Sequence, residues 1–225
     1  MNGSSKKKSS RGVGPVTVRG EARKLVLIRA AREEFESNGF FHTRIGDIVR
    51  RAGVAQGTFY TYFHSKEAVF EAIAKSVATD MLMSLGAGQR SNGTPYERAR
   101  SAMERFVESY RSNARWFALI NEVTNASPEV RHLRLQIRQS FIDRLARGIR
   151  HQQRSGHADP DVDADLMAEV LGSMVDHICD VWFNMGREFE EDRLIDHITL
   201  VYARALGLPG QPSGPPSTGP DHRTG

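Results

Sequence analysis

"IGDIVRRAGVAQGTFYTYF", residues 45 to 63, decides the fold. Ile45, Ile48 and Val49 recur at helical spacing just after Thr43, whose hydroxyl is placed to cap freed backbone donors, so a short helix is expected there. Gly53 breaks the chain, and a second short helix is expected from Gln56 to Phe63. Two short helices across a glycine-containing turn have the length and spacing of a helix-turn-helix, whose second helix lies in the DNA major groove. The aromatics then sort by angle. Phe59 and Phe63 are four apart, share a face and are expected to pack inward against Phe35, Ile48 and Val54. Tyr60 and Tyr62 project elsewhere, where a phenol can donate to a phosphate oxygen and its ring can lie against sugar or a thymine methyl. Thr58 is placed to do likewise, and Lys66 sits beside the next helix amino terminus, where backbone donors also attract phosphate. On an isolated helix the same tyrosines would read as ordinary amphipathic surface.

Outward from this segment the periodicity is helical and nowhere strand-like. Leu25, Ile28, Ala31 and Phe35 mark one face of a first helix that stops at Asn38-Gly39. After a Ser65 cap, a fourth helix carries Val69, Ile73, Val77, Met81 and Leu85 at four-residue steps and ends in residues 86–94, GAGQRSNGT. Five further helices are expected at about 95–112, 115–126, 128–154, 161–187 and 190–206, for about nine in all. Leu133, Ile137, Phe141, Leu145 and Ile149 form a stripe in the longest, a pattern that is usually core. No period of 20 to 50 residues suggests a repeat array. The fold class is all-α.

With 225 residues the chain is long enough to bury a real core. Residues 1–20 are rich in Ser, Lys, Gly and Arg and read as a disordered basic arm, and residues 209–225 as a disordered Pro/Gly-rich tail. Residues 1–63 hold twelve Lys or Arg against five acids, a net of +7, which leaves −3 for the remainder of a chain whose total is +4. That asymmetry suggests that only the first part meets a polyanion, with the arm adding salt-sensitive affinity or serving as a solubilising tail. No stretch reaches the ~18 apolar residues of a membrane span, and no apolar run follows the basic start as in a signal peptide, so a cytoplasmic protein without membrane contact is expected. The one cysteine, Cys179, reads as a small buried hydrophobe.

Residues 23–73, "RKLVLIRAAREEFESNGFFHTRIGDIVRRAGVAQGTFYTYFHSKEAVFEAI", contain the elements GF, T, DI, AGV, GTFY, YF and SKE in order, and in these the chain resembles the TetR family of bacterial transcription regulators. The likeness covers about a quarter of the chain. It implies an all-helical homodimer with three amino-terminal helices for DNA and a larger helical body that binds a small-molecule effector and dimerises. Carried over by position, it implies phosphate contacts from Thr43 and Arg44, groove contacts from Thr58, Tyr60 and Tyr62, and a backbone contact from Lys66. Ala55 departs from the family's usual capping Ser, an exchange that costs a helix ~1 kcal/mol. Gln56 stands where Lys or Arg is frequent, and Gln bonds adenine bidentately, which makes it a base-reading candidate. Gly46 disfavours helix by ~1 kcal/mol and allows close approach to a neighbouring element or to the sugar-phosphate chain.

The expected domains are 21–66 for DNA, a connecting helix 66–85, and a body over 67–208. "DADLMAEVLGSMVDHICDVWFNMG" and "EDRLIDHITLVYARALGL" carry large apolar residues on more than one face, as a symmetric four-helix dimer interface requires. Val170, Met174, Ile178 and Val181, with Leu194, Ile198, Val201 and Tyr202, are the candidates for that interface. Met103, Phe106, Trp116, Phe117, Ile120, Asn121, Phe141, Met174, His177 and Trp182 mix apolar bulk with a few polar groups and are the candidates for an effector pocket, though any one of them at helical spacing is more often plain core. The aromatics and methionines favour a lipophilic effector. "HADPDVDAD" resembles a calcium loop only superficially: counted from Asp161, the sixth position is Leu166 and the twelfth Gly172, so Asp161, Asp163 and Asp165 read as helix-start charges. No metal-ligand spacing, phosphate loop or nucleophile triad appears, so no cofactor, no metal and no enzymatic activity are expected. Together these features point to a repressor that binds a palindromic operator on double-stranded DNA as a dimer and is released by its effector. The alternative is the same helix-turn-helix without an effector, regulated by a protein partner or serving architecture.

Overall fold

The computed structural model describes residues 18–87 and 93–210, so most of the basic arm, part of the 86–94 connection and the tail beyond 210 lie outside the described residues. Eight α-helices and no strand occur among the described residues: α1 Val18–Asn38, α2 Ile45–Ala52, α3 Gln56–Tyr62, α4 Lys66–Ala87, α5 Pro95–Ala126, α6 Pro128–Arg154, α7 Ala164–Phe183 and α8 Glu191–Leu206. The expected break after residue 112 is not made. Nothing between Ser112 and Arg115 stops a helix, and Asn113 donates its side-chain amide back to Ser109 O at 2.8 Å, so α5 runs on for 32 residues. The true stops are the Ser127-Pro128 corner, where Ser127 Oγ accepts from Val130 N, and Gly156 at φ 69°.

The chain divides into two compact units, the first ending at Val69 and the second starting at Phe70, a few residues later than the boundary expected at 66/67 and inside α4. In the first unit α1 packs on α2, and α2 on α3. The buried face of α1 is Leu27, Ala30, Ala31, Glu34 and Phe35; Leu25, expected inside, lies in solvent, because the run Leu25-Val26-Leu27-Ile28 covers every angle of the helix and does not itself fix a face. Phe59, Phe63, Phe35 and Ile48 are all buried, as their spacing requires, while Val54 is half-buried.

Thr43 does not cap α2. Arg44 holds the N-cap position, and Thr43 is 2% exposed, donating its hydroxyl to Gly39 O at 2.8 Å and Glu34 O at 3.3 Å. It ties the end of α1 to the turn that follows. At Gly46 no atom of the described residues stands within 4 Å of where a Cβ would be, so close packing among them does not explain that glycine.

In the second unit α5 packs on α6, α7 and α8, and α6 lies along α7. One cluster joins Ala146 and Ile149 of α6 to Ala168 and Leu171 of α7 and Tyr202 and Leu206 of α8. A second joins Val107 and Tyr110 of α5 to Val175 and Cys179 of α7 and Ile195 and Ile198 of α8. Burial pushes the Cys179 thiol up to about 12, so it is a neutral packing group. α7 starts at Ala164, later than expected, because Asp163 is its cap, accepting from Asp165 N and Leu166 N. Asp165 meets Arg150 at 2.9 Å, so these acids have structural roles.

Candidate functional site

In the first unit α2 and α3 meet at Gly53, whose φ of 65° closes α2 in the left-handed conformation. Asp47 reaches back to accept from Arg44 N at 3.0 Å and takes a second bond from Arg50 Nη2 at 2.7 Å; the backbone donor and then the guanidinium hold its carboxyl below the ordinary range. α3 has only seven residues, and its N-cap Ala55 makes no side-chain bond. What fixes it is Phe59, fully buried, with Phe63 5.7 Å away ring to ring. Next to that anchor, Tyr60 is 52% exposed, its ring edge-on to Phe59 at 5.6 Å. Gln56, Gly57 and Thr61 are exposed beside it, Thr58 and Tyr62 half-buried, and Arg44 and Arg50 exposed on α2. The helix thus offers one polar aromatic, an amide and a threonine with cations alongside, and its backbone is held from behind.

Two of the expected phosphate contacts are placed otherwise. The Thr43 hydroxyl is used inside the protein, as above. Lys66 turns its ammonium inward, donating to Phe40 O at 2.7 Å and Thr43 O at 3.0 Å with the Phe40 ring 4.3 Å away. Burial lowers its pKa. Both residues brace the 39–44 turn, a role that their positions in the sequence do not separate from a contact with DNA.

The second unit contains a cavity of about 1120 Å³. Met103, Phe106, Phe117, Ile120, Asn121, Phe141 and His177 line it. Trp116, Met174 and Trp182 do not. Trp116 is fully buried against Phe70, rings 4.7 Å apart; Met174 packs into the apolar clusters; Trp182 stacks on Phe183 at 4.5 Å. Their spacing is the same as that of true lining residues, and only the depth of the neighbouring helices separates the two groups. The middle of the α6 stripe, Ile137, Phe141 and Leu145, is cavity wall, whereas its ends, Leu133 and Ile149, are buried core.

Several lining groups escaped the sequence reading. Tyr110 stacks on Phe117 at 4.5 Å and donates to Asp180 Oδ1 at 3.3 Å; burial first, then the Asp180 charge, push its phenol well above the ordinary range. Asp180 also accepts from Asn121 Nδ2 at 3.3 Å and Asn184 Nδ2 at 2.8 Å. Asp176 is raised by burial, an effect opposed by Arg134 and Arg138. Arg105, Arg144 and Arg147 line the cavity as well. For the two on α6 the signal in the sequence was Arg144, Arg147 and His151, spaced three and four apart on the helix that carries the apolar stripe; Arg105, on α5, had none.

The surface candidates on α7 and α8 divide. Val170 (57% exposed) and Val201 (48%) face solvent, as does Leu166, while Ile178, Val181 and Leu194 are half-buried. Ile198 (5%) and Tyr202 (8%) point into the unit's own core, and Met174 packs there too, so these three are corrected from interface to interior. A two-faced helix shows which residues are apolar without showing which face is outward.

Residues 27–73 match the family described as "Bacterial regulatory proteins, tetR family", and residues 99–206 match "Transcriptional regulator EthR, C-terminal domain". The chain belongs to the TetR family. It is a TetR-family transcriptional regulator with an amino-terminal helix-turn-helix domain and a helical carboxyl-terminal domain. This TetR-family chain is 25% identical over 167 residues to the HTH-type transcriptional regulator YdgC of Bacillus subtilis, covering 71% of the chain and 80% of that protein. It is 25% identical over 175 residues to the HTH-type transcriptional regulator EthR of Mycolicibacterium smegmatis, covering 77% and 81%. In fold it is similar to a TetR-family regulator structure from Syntrophomonas wolfei, with a TM-score of 0.72 at 18% identity, covering 82% of this chain and 95% of that one. No described helix is long and apolar enough to cross a membrane.

Proposed function

We propose that this TetR-family regulator is a cytoplasmic repressor that binds an inverted-repeat operator as a dimer through α3 and is released when a lipophilic small molecule occupies the cavity of the second unit. The observation that carries the reading is the division of α3 into a buried anchor, Phe59, and an exposed reader face, Gln56 and Tyr60. A seven-residue helix without a side-chain cap has little stability of its own, so its rigidity comes from the anchor and leaves the outer face for base edges and phosphates. Arg44 and Arg50 supply cations beside it. Dimerisation is proposed through the outward apolar residues Leu166 and Val170 of α7 and Val201 of α8, with the half-buried Ile178, Val181 and Leu194 at its margin. A two-fold dimer places two such helices about one DNA turn, ~34 Å, apart.

The cavity supports effector control over the partner-regulated or architectural reading. A cavity of about 1120 Å³ is large enough for a small molecule, and Phe106, Phe117, Ile120 and Phe141 in its wall favour one with an apolar part. Release follows if the effector prefers the free protein to the DNA-bound one. The test is selection of binding sites from random duplexes by the full chain and by Tyr60→Ala. An inverted repeat recovered by the wild type and lost in the variant, at unchanged thermal stability, is the expected result. Salt-sensitive binding with no enriched sequence, equal in both proteins, would move the architectural reading to the front.

A further inference from the structure

The charges around the cavity are not balanced along its length. Among the described residues, six arginines and two aspartates line it. Toward the amino-terminal half of α6 the charges are answered: Arg138 pairs with Glu169, Asp176 lies in the field of Arg134 and Arg138, and Asp180 takes its three hydrogen bonds from Tyr110, Asn121 and Asn184. Toward the carboxyl-terminal half lie Arg105, Arg144 and Arg147, and no carboxylate comes within ion-pair distance of any of them among the described residues. Arg105 Nε is buried and has no hydrogen-bond partner among the described residues. Arg144 crosses toward α4, its Nη2 3.9 Å from where a Cβ on Gly86 would stand. Its pKa is lowered, first by burial and then by the charges of Arg147 and Arg105.

Three guanidinium groups crowded together, one with a buried unmatched donor, are an unfavourable arrangement unless an anion joins them. Arginine forks are suited to bidentate contact with carboxylate or phosphate oxygens. Arg147 and the neighbouring His151 are exposed, so the arginines stand where the cavity meets solvent; Tyr110, Ile120 and Val175 are buried further along it, beside the exposed His177. Arg134 and Arg147 are thirteen residues apart on one helix, about 20 Å at 1.5 Å per residue, which gives the cavity the length for an extended chain.

We infer that the effector is an amphipathic anion, its carboxylate or phosphate head held by Arg105, Arg144 and Arg147 at the mouth and its apolar chain lying inward against Phe106, Phe141 and Ile120. This rests on the effector reading above and narrows it to one class of ligand. A neutral lipophile fills the inner part and leaves the arginines unmatched; a cation is repelled at the entrance.

The test is equilibrium binding to the full chain, followed by calorimetry, of decanoate, decyl phosphate, 1-decanol and decyltrimethylammonium, below their aggregation limits. Decanoate, decyl phosphate or both should bind at least about tenfold more tightly than decanol, the scale of one charge-assisted contact, and the ammonium should not bind. The ratio between decanoate and decyl phosphate tells which head the site prefers. Arg105→Gln with Arg144→Gln should bring the anions down to the affinity of decanol while leaving decanol binding unchanged, which also shows that the variant is folded. Arg105→Lys with Arg144→Lys should keep part of the preference. Equal affinity for decanol and both anions, no binding of either anion, or a preference that survives the Gln variant would overturn the inference. Release of operator DNA is read separately. Anions that bind with preference yet leave the DNA complex intact would refute effector control and keep the site, whereas release by decanol alone would keep effector control and refute the anionic head.

Discussion

Replacing Lys66 by Met separates a brace from a DNA contact at one position. The substitution keeps the apolar stem and removes the ammonium, which donates to Phe40 O at 2.7 Å and Thr43 O at 3.0 Å and lies over the Phe40 ring. Hydrogen bonds involving a charged group contribute roughly 1.5–3 kcal/mol each. Burying the ammonium, which lowers its pKa, offsets part of that gain, and the side chain keeps contact with water. The expected net loss is therefore about 2 kcal/mol, read as a lower denaturant midpoint. The second readout is salt. A phosphate contact contributes about 0.9 to the slope of log K against log salt, so a DNA-contacting Lys66 would flatten the slope by that amount per recognition helix when lost. A brace leaves it unchanged. Full stability in Lys66→Met together with a flattened slope would refute the structural assignment and return Lys66 to the DNA surface.

Two other substitutions probe the second unit. A Cβ at Gly172 would stand 2.6 Å from Ile142 Cδ1, so Gly172→Ala should destabilise by about 1 kcal/mol despite its better helix propensity, and Ile142→Val, which removes that methyl, should cancel the penalty in the double variant; strictly additive effects in chemical denaturation would contradict the close approach. Asp176 has its folded-state pKa raised by burial above the ordinary carboxylate value, so the folded protein binds the extra proton and stability falls as pH rises through that window. Asp176→Asn should accordingly raise the melting temperature at pH 8 and make no difference below the ordinary carboxylate range, and a variant less stable than wild type at pH 8 would show the sign to be wrong.

The helix-turn-helix was legible because its information is local: a glycine that must adopt positive φ, a run of aromatics that only one helical phase can bury, and a motif in fixed order. The errors arose where the outcome depends on a distant neighbour. Leu25 and Leu27 are equally apolar, and the packing of α1 on α2 decides between them. Thr43 looks like a cap from its position, but it lies where the end of α1 returns and offers carbonyls at Glu34 and Gly39. A break was expected between residues 112 and 115, yet Asn113 bonds back along the helix and α5 continues. The cavity was the least legible feature, because Trp116 and Phe117 are adjacent and chemically alike, and one is core while the other is wall. Its arginines come from different helices, and their proximity exists only once α5 lies against α6.

The anchoring of α3 through Phe59 has a consequence for descent as well as for binding. Stability in this short helix depends on one buried ring and its neighbour Phe63, while Gln56 and Thr61 stand in solvent and Tyr60 touches the anchor only with its ring edge, so these three contribute less to it. Mutations at those three positions are therefore nearly silent to the folding of the protein and audible only to whatever the surface touches. Selection can change the partner sequence one residue at a time without passing through an unfolded ancestor, whereas Phe59 has no such latitude. A lineage built on this arrangement diversifies on its outer face and stays fixed one residue away.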